Sequence, residues 1–240
     1  MDSNYKVVES TAVKPHLVAL SKEALALAHR VGAVVPRSDR TVAMANFCTY
    51  VAGELKQVSA AYPENTAALA WACRNLFEAN LTVRYVLLSQ ANLIEWMGQA
   101  LRDERDFIDG VLSIPHGSKH PEDIAILRQR LVQLDDMARR HRLEFAKPFR
   151  VGEIAKELGE ASEYAAMYKL FSKYVHPTSL LVNSWYQVKA DVGWTNVFLT
   201  SAQQYAADTI QRVAEDARLE HADQMSAKAF VWALLFPHRL

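Results

Sequence analysis

Apolar side chains recur along this chain at steps of three and four residues, the spacing that gathers them on one face of an α-helix. Leu17, Leu20, Ala24, Leu27 and Val31 form the first such stripe, entered at Pro15, which suits a first helical position, and closed at Gly32. Ser38 or Asp39 suits the cap of a second helix, whose stripe is Met44, Phe47, Cys48, Val51, Leu55 and Val58 and which ends before Pro63. From about Glu64 to Ser113 the helical pattern runs longest. In its first half apolar residues face every direction, the mark of a helix buried all round. From Trp96 onward it turns amphipathic and charged, and Gly98 predicts a kink. A loop over Ile114–Pro121 precedes a fourth amphipathic stripe, Ile124, Leu127, Leu131, Leu134, Ala138, His141 and Phe145, which Pro148 closes. Short helices follow over 151–158, stopped by Gly159, and over 161–175, cut at His176–Pro177 because the residue before proline is pushed out of the helical region. The stretch 177–194 reads as irregular structure with a turn, although LLVNSWYQV also suits a short helix or a strand. Helices over about 195–220 and 226–236 complete the chain.

The sum is an all-α fold, an antiparallel helical bundle of about seven or eight helices around a buried central helix. Composition agrees, since 8 Gly and 8 Pro in 240 residues leave few helix breakers. No linker of Gly, Ser or Pro divides the chain and no repeat is visible. The expected organisation is therefore a mobile tail over 1–12 and a single helical domain over 13–240. Lys plus Arg number 27 and Asp plus Glu number 27, so no global basic field draws nucleic acid or an anionic membrane, and any such binding is local. The longest uncharged stretches, Tyr174–Val188 and Val192–Ala207, fall below the roughly 18 apolar residues of a membrane span. No signal-peptide pattern opens the chain, and Cys48 and Cys73 sit in apolar helical patterns. Both are read as reduced thiols of a cytoplasmic protein.

Several chemistries are excluded by spacing. The eight glycines form neither a Walker loop nor a dinucleotide fingerprint, no G-x-S-x-G elbow surrounds a serine, and no His is followed by Glu. Two cysteines so far apart make no zinc knuckle, and His116 and His120 lie among Pro and Gly without a third ligand. No metal and no cofactor is expected.

One polar group needs an explanation. On an ideal helix Ala70, Trp71, Phe77, Glu78, Leu81, Tyr85 and Leu88 all fall within about 60 degrees of Arg74, so Arg74 and Glu78 interrupt an apolar stripe. Charged residues there require partners. Either they form a buried ion pair that fixes the register of the bundle, or they line a polar cavity between helices. A second group, Tyr164, Tyr168, Ser172 and His176, follows at steps of four and runs into Thr178 and Ser179. His176 at a helix C-terminus meets the dipole and also suits satisfaction of the last carbonyls. The expectation is that Arg74 and Glu78 are largely buried and within hydrogen-bonding reach of the Tyr168–Ser179 segment.

These two segments, ACRNLFEANLTVRYVLL and EIAKELGEASEYAAMYKLFSKYVHPTS, resemble a bacterial all-helical family catalogued as a domain of unknown function, over roughly residues 60 to 220. The resemblance implies Arg74, Glu78, Tyr164, Tyr168, Ser172 and His176 as its motif residues and implies no activity. A remoter similarity is to nucleotide-binding helical bundles of prokaryotic toxin and defence systems, some of them metal-independent ribonucleases with Arg followed after four to six residues by His. No Arg in this chain has that spacing, and Lys169 before His176 comes nearest.

Two functions follow. The leading one is a regulatory or defence-associated binding protein, in which Arg74, Glu78 and His176 with Tyr168, Ser172 and Ser179 hold a small polar ligand or organise the bundle. The alternative is metal-independent cleavage of RNA, with His176 as general acid or base and Lys169 or Arg74 stabilising charge on a phosphate. The basic run Arg128, Arg130, Arg139, Arg140, Arg142, Lys147 and Arg150 is either a solvated face or a track for RNA. The terminal FVWALLF is read as core or as a subunit contact through which a homo-oligomer would form.

Overall fold

A computed structural model of the chain describes residues 10–34, 37–114, 120–143, 150–189 and 191–217. Among these the fold is all-helical, with ten helices and no strand. They are α1 (Ser10–Gly32), α2 (Asp39–Ala61), α3 (Thr66–Leu88), α4 (Gln90–Ser113), α5 (Pro121–His141), α6 (Val151–Glu157), α7 (Ala161–Val175), α8 (Ser179–Asn183), α9 (Trp185–Lys189) and α10 (Val192–Asp216). No helix among the described residues is long and apolar enough to cross a membrane.

Ten helices replace the expected seven or eight, for local reasons. The long helix expected over 64–113 does not kink at Gly98 but ends at Leu88. Ser89, in extended backbone, caps α4 by accepting from the Asn92 N–H at 3.1 Å, and Asn92 Nδ2 donates back to the Tyr85 carbonyl at 3.0 Å. A serine that satisfies the first turn of one helix while its neighbour satisfies the last turn of another favours a break over a continuous rod. The stretch read as irregular holds α8 and α9, the first started by Thr178, whose hydroxyl accepts from the Leu181 N–H at 3.2 Å. Asp191 then caps α10 by accepting from the Trp194 N–H at 3.0 Å, so that helix begins at Val192 rather than near 195. The helix expected over 226–236 lies outside the described residues.

Other boundaries follow the sequence closely. Ser38 caps α2 in a reciprocal box with Thr41. Gly159 ends the α6 turn at φ 78°, a left-handed conformation that glycine adopts without penalty, and this lets the Glu160 N–H reach the Ala155 carbonyl at 2.6 Å. Helix α1 starts earlier than expected, so 10–12 are helical and Pro15 lies inside the helix rather than at its first position. The rest of the expected tail lies outside the described residues.

The single helical domain expected over 13–240 contains two compact units. One joins the chain up to Arg84 with the chain from Gly152 onward, and the other runs from Tyr85 to Val151. In the first, α1 packs on α2, and both meet α10. Leu17, Leu20, Leu27, Met44, Leu55, Leu69 and Leu76 are among its fully buried side chains. Ser21 Oγ donates to the Ala52 carbonyl at 3.0 Å, and the Arg40 guanidinium donates to both carboxylate oxygens of Asp216. Phe77 of α3 is the centre of an aromatic cluster with Tyr164 and Phe171 of α7 and Tyr205 of α10, its ring 6.1, 6.2 and 4.8 Å from theirs. Leu76 and Val83 are buried as expected of α3. Trp71 and Leu88 are not, which corrects the reading of a helix buried all round and places Arg74 beside an exposed indole. In the second unit, Leu101 and Ile108 of α4 pack with Leu134 and Ala138 of α5.

Candidate functional site

Three helices bring titratable and aromatic side chains together in the first unit. From α3, Arg74 Nε donates to Glu78 Oε1 at 2.7 Å, one turn on, and the two side chains keep 23% and 27% of their exposure. They are largely but not fully buried, as two charges on an apolar stripe require, and the face they share also carries Trp71, 48% exposed one turn before Arg74. From α7, the Tyr168 ring lies against the guanidinium, 5.4 Å from centroid to Cζ, and stacks on Tyr164 at 5.7 Å. Among the described residues the Arg74 Nη1 and Nη2 atoms have no hydrogen-bond partner, and neither is sealed from solvent. Five donors in a planar fork are thus held at one nitrogen and over one face, with the outer edge open.

From α2 comes a carboxyl that the sequence reading missed. Glu54 is buried, accepts from Asn75 Nδ2 at 3.2 Å, and is met by the Tyr50 hydroxyl. Burial raises its carboxyl above the usual carboxylate range, against the opposing effect of those two donors. Partial burial, with Glu54 and then Glu78 beside it, pushes the Tyr50 phenol up to about 12. Burial and the neighbouring Glu78 likewise raise Tyr164, which Arg74 opposes. The group therefore consists of one guanidinium, two carboxyls, an amide and three phenols, of which Tyr50 and Tyr164 are held above the ordinary phenol value. A signal for Glu54 existed: on an ideal helix it falls about 60 degrees from Val51, at the edge of the α2 apolar stripe.

Gly152 of α6 lies against the Tyr164 ring. A Cβ at that position would stand 3.0 Å from Tyr164 Cε1, so the glycine leaves the space that the ring occupies.

The other sequence-predicted residues are not gathered here. Tyr168 is the one member of the Tyr168–Ser179 segment that reaches Arg74, through its ring rather than a hydrogen bond. Ser172 Oγ donates to the Lys169 carbonyl on its own helix at 2.9 Å, and Ser179 Oγ accepts from Asn183 Nδ2 at 3.0 Å. Lys169 and His176 are exposed, and among the described residues no hydrogen bond or ion pair joins either to Arg74 or Glu78. The physical reason is the orientation of α7. Its buried residues are Phe171 and Tyr174, so the row reached by steps of four from Tyr164 leaves the interior within two turns.

Further polar pairs tie α3 to its surroundings and were invisible in sequence. Asn80 Nδ2 donates to Asp208 Oδ2 at 2.7 Å and to Thr209 Oγ1 at 3.1 Å, and Arg84 Nη2 donates to Glu160 Oε1 at 2.6 Å, while Tyr205 of α10 donates to Glu163 of α7 at 3.0 Å. In the basic run, Arg130 donates to both oxygens of Glu104, and Arg139 pairs with Asp136. Lys147 lies outside the described residues, as do His116 and the FVWALLF segment. Among the described residues no three His, Cys, Asp or Glu side chains converge as a metal site would require. No family model, no curated protein and no solved structure matches this chain.

Proposed function

We propose that this chain is a regulatory binding protein that takes a small planar polar ligand at Arg74 and breaks no bond. One observation carries the reading: Arg74 is held at Nε by Glu78 and faced by Tyr168, while its two terminal nitrogens have no partner among the described residues. A guanidinium so oriented is preorganised to donate to an oxygen acceptor on a ligand. Glu54 and Glu78 offer acceptors for N–H groups, and Trp71, Tyr168 and Tyr164 offer apolar faces. A ring with a carbonyl oxygen beside N–H donors, as nucleobases carry, meets all three demands. The group includes four residues on which the resemblance to the bacterial helical family rests, Arg74, Glu78, Tyr164 and Tyr168.

Two coarser features support the same setting. The described thiols, Cys48 and Cys73, are buried and free, in keeping with a reducing cytoplasm. Short connections between α1, α2 and α3 favour antiparallel neighbours, and we read the first unit as a bundle built on α3. Cleavage of RNA gains no support, because His176 and Lys169 stand apart from Arg74 and two arginines of the basic run are closed on carboxylates.

The test is titration calorimetry of the full chain with adenosine, guanosine, cytidine and uridine up to about 1 mM, a range that reaches weak sites. Saturable one-to-one heat with at least one nucleoside, weakened roughly thirtyfold or more in Arg74→Ala, is the expected result. No heat with any of the four, or an affinity that Arg74→Ala leaves unchanged, overturns the proposal.

A further inference from the structure

The donors and acceptors around Arg74 restrict which ring can sit there. An arginine presents its N–H donors in a rigid planar fork, and Glu78 takes the donor at Nε. The end that carries Nη1 and Nη2 therefore offers parallel N–H bonds side by side, and it calls for two acceptors on neighbouring atoms. Glu78 makes the opposite demand. Its Oε1 accepts from Arg74 at 2.7 Å, while its Oε2 has no hydrogen-bond partner among the described residues. The two oxygens share one carbon, so this open acceptor lies within about 5 Å of Arg74 Nε. Glu54 of α2, by contrast, is already met by Asn75 Nδ2 and by the Tyr50 hydroxyl.

Charge restricts the choice further. Arg74 is the one cation of the group, and Glu78 already neutralises it. A phosphate or carboxylate at the fork would face Glu54 and Glu78 without a second cation. The Tyr50 phenol, raised by burial and then by Glu54 and Glu78, responds to the same negative field. A neutral ring meets no such repulsion.

Among the bases, guanine carries O6 and N7 side by side on one edge, and on the next edge N1–H and the 2-amino group. Adenine sets its N7 beside a donor, uracil places an N–H between its two carbonyls, and cytosine has neighbouring acceptors with a single amino group. We infer that the base taken at Arg74 is guanine, with Nη1 and Nη2 donating to O6 and N7 and Glu78 Oε2 accepting from N1–H and the 2-amino group. The exposed Trp71 indole, one turn before Arg74, gives the bicyclic ring an aromatic face. This choice of base rests on the nucleobase reading above.

Calorimetry of the full chain with guanosine, inosine, 7-deazaguanosine, adenosine, cytidine and uridine tests it. Guanosine is expected to bind at least roughly tenfold tighter than each of the others, the size of one hydrogen bond with a charged partner. Inosine lacks the 2-amino group, and 7-deazaguanosine has C–H in place of N7. In Glu78→Gln the amide oxygen serves Arg74 Nε and the amide N–H bonds face the base. The preference for guanosine over inosine then disappears while the preference over 7-deazaguanosine stays, whereas a variant that only loosens α3 weakens all three alike. Adenosine, cytidine or uridine binding as tightly as guanosine overturns the inference and leaves the Arg74 reading in place. So does equal binding of guanosine, inosine and 7-deazaguanosine, or a guanosine-over-inosine preference that Glu78→Gln leaves intact. No heat with any nucleoside overturns both.

Discussion

Two arginines, Arg130 of α5 and Arg74 of α3, meet glutamates in different ways. Arg130 places Nε on Glu104 Oε1 at 2.5 Å and Nη2 on Oε2 at 2.9 Å, and its Nη1 donates to Gln133 at 3.2 Å. Each of its nitrogens is engaged by the protein. Arg74 engages Glu78 through Nε alone and sets its face on Tyr168, leaving both terminal nitrogens for something else. The fork that is closed ties two helices together, whereas the fork that is open is held in place and still has donors to give. Pairing with a carboxylate is therefore weak evidence of role, and the count of donors left over separates a strut from a binding group.

The largest effect is expected beneath the open fork. Phe77 is fully buried against Tyr164, Phe171 and Tyr205, and Phe77→Ala removes the base on which Tyr164 and, through it, Tyr168 rest. A loss of about 3–5 kcal/mol in urea denaturation is expected; a loss under about 1 kcal/mol means that the cluster does not hold α7 to α3.

Next in size is the contrast itself. Arg74→Ala is expected to weaken nucleoside binding by roughly thirtyfold or more, equivalent to the ~2 kcal/mol of hydrogen bonds to a charged group. Arg130→Ala, which removes an exposed pair, leaves that binding unchanged. Equal effects from the two substitutions erase the distinction drawn between them.

The carboxyls give smaller effects of opposite sign. Glu54 has a folded-state value raised by burial, so the folded protein keeps this proton where the unfolded chain has lost it. Its contribution to stability is full below the ordinary carboxylate value of about 4.3 and falls as pH rises through the raised value. Glu54→Gln flattens that fall between pH 4 and 8 in urea midpoints, and parallel curves for the two proteins contradict the assignment. Glu104 is held below the usual range by the Arg130 hydrogen bonds, so its contribution is present above about 4.3 and lost as pH falls through the lowered value. Arg130→Ala removes that acid dependence, the smallest of the four effects because both side chains are open to solvent.

Much of the fold was legible in the apolar period. The stripe from Leu17 to Val31, the cap at Ser38 and the end of α7 before Pro177 appear where local rules put them. The break at Ser89 was not, because it depends on Asn92 reaching back to the Tyr85 carbonyl, a geometry that leaves no trace in hydrophobic spacing. In the candidate site, Arg74, Glu78, Tyr164 and Tyr168 could be picked out because charge and phenol interrupt apolar faces. Glu54 could not be joined to them, since its partner Asn75 is 21 residues away and the contact exists only once α2 and α3 pack. Ser172 and His176 were drawn in by helical spacing alone, which fixes a shared face and is silent on whether that face turns inward, while Ser179 was drawn in by following His176 past Pro177 and Lys169 by its place before His176.

The most direct measurement follows the side-chain Nε–H and Nη–H resonances of Arg74 and Arg130 while a nucleoside that gives heat in calorimetry is added. The account expects the Arg74 signals to shift and saturate with the calorimetric affinity while those of Arg130 stay fixed. Arg74 signals that do not move while the ligand binds would contradict it.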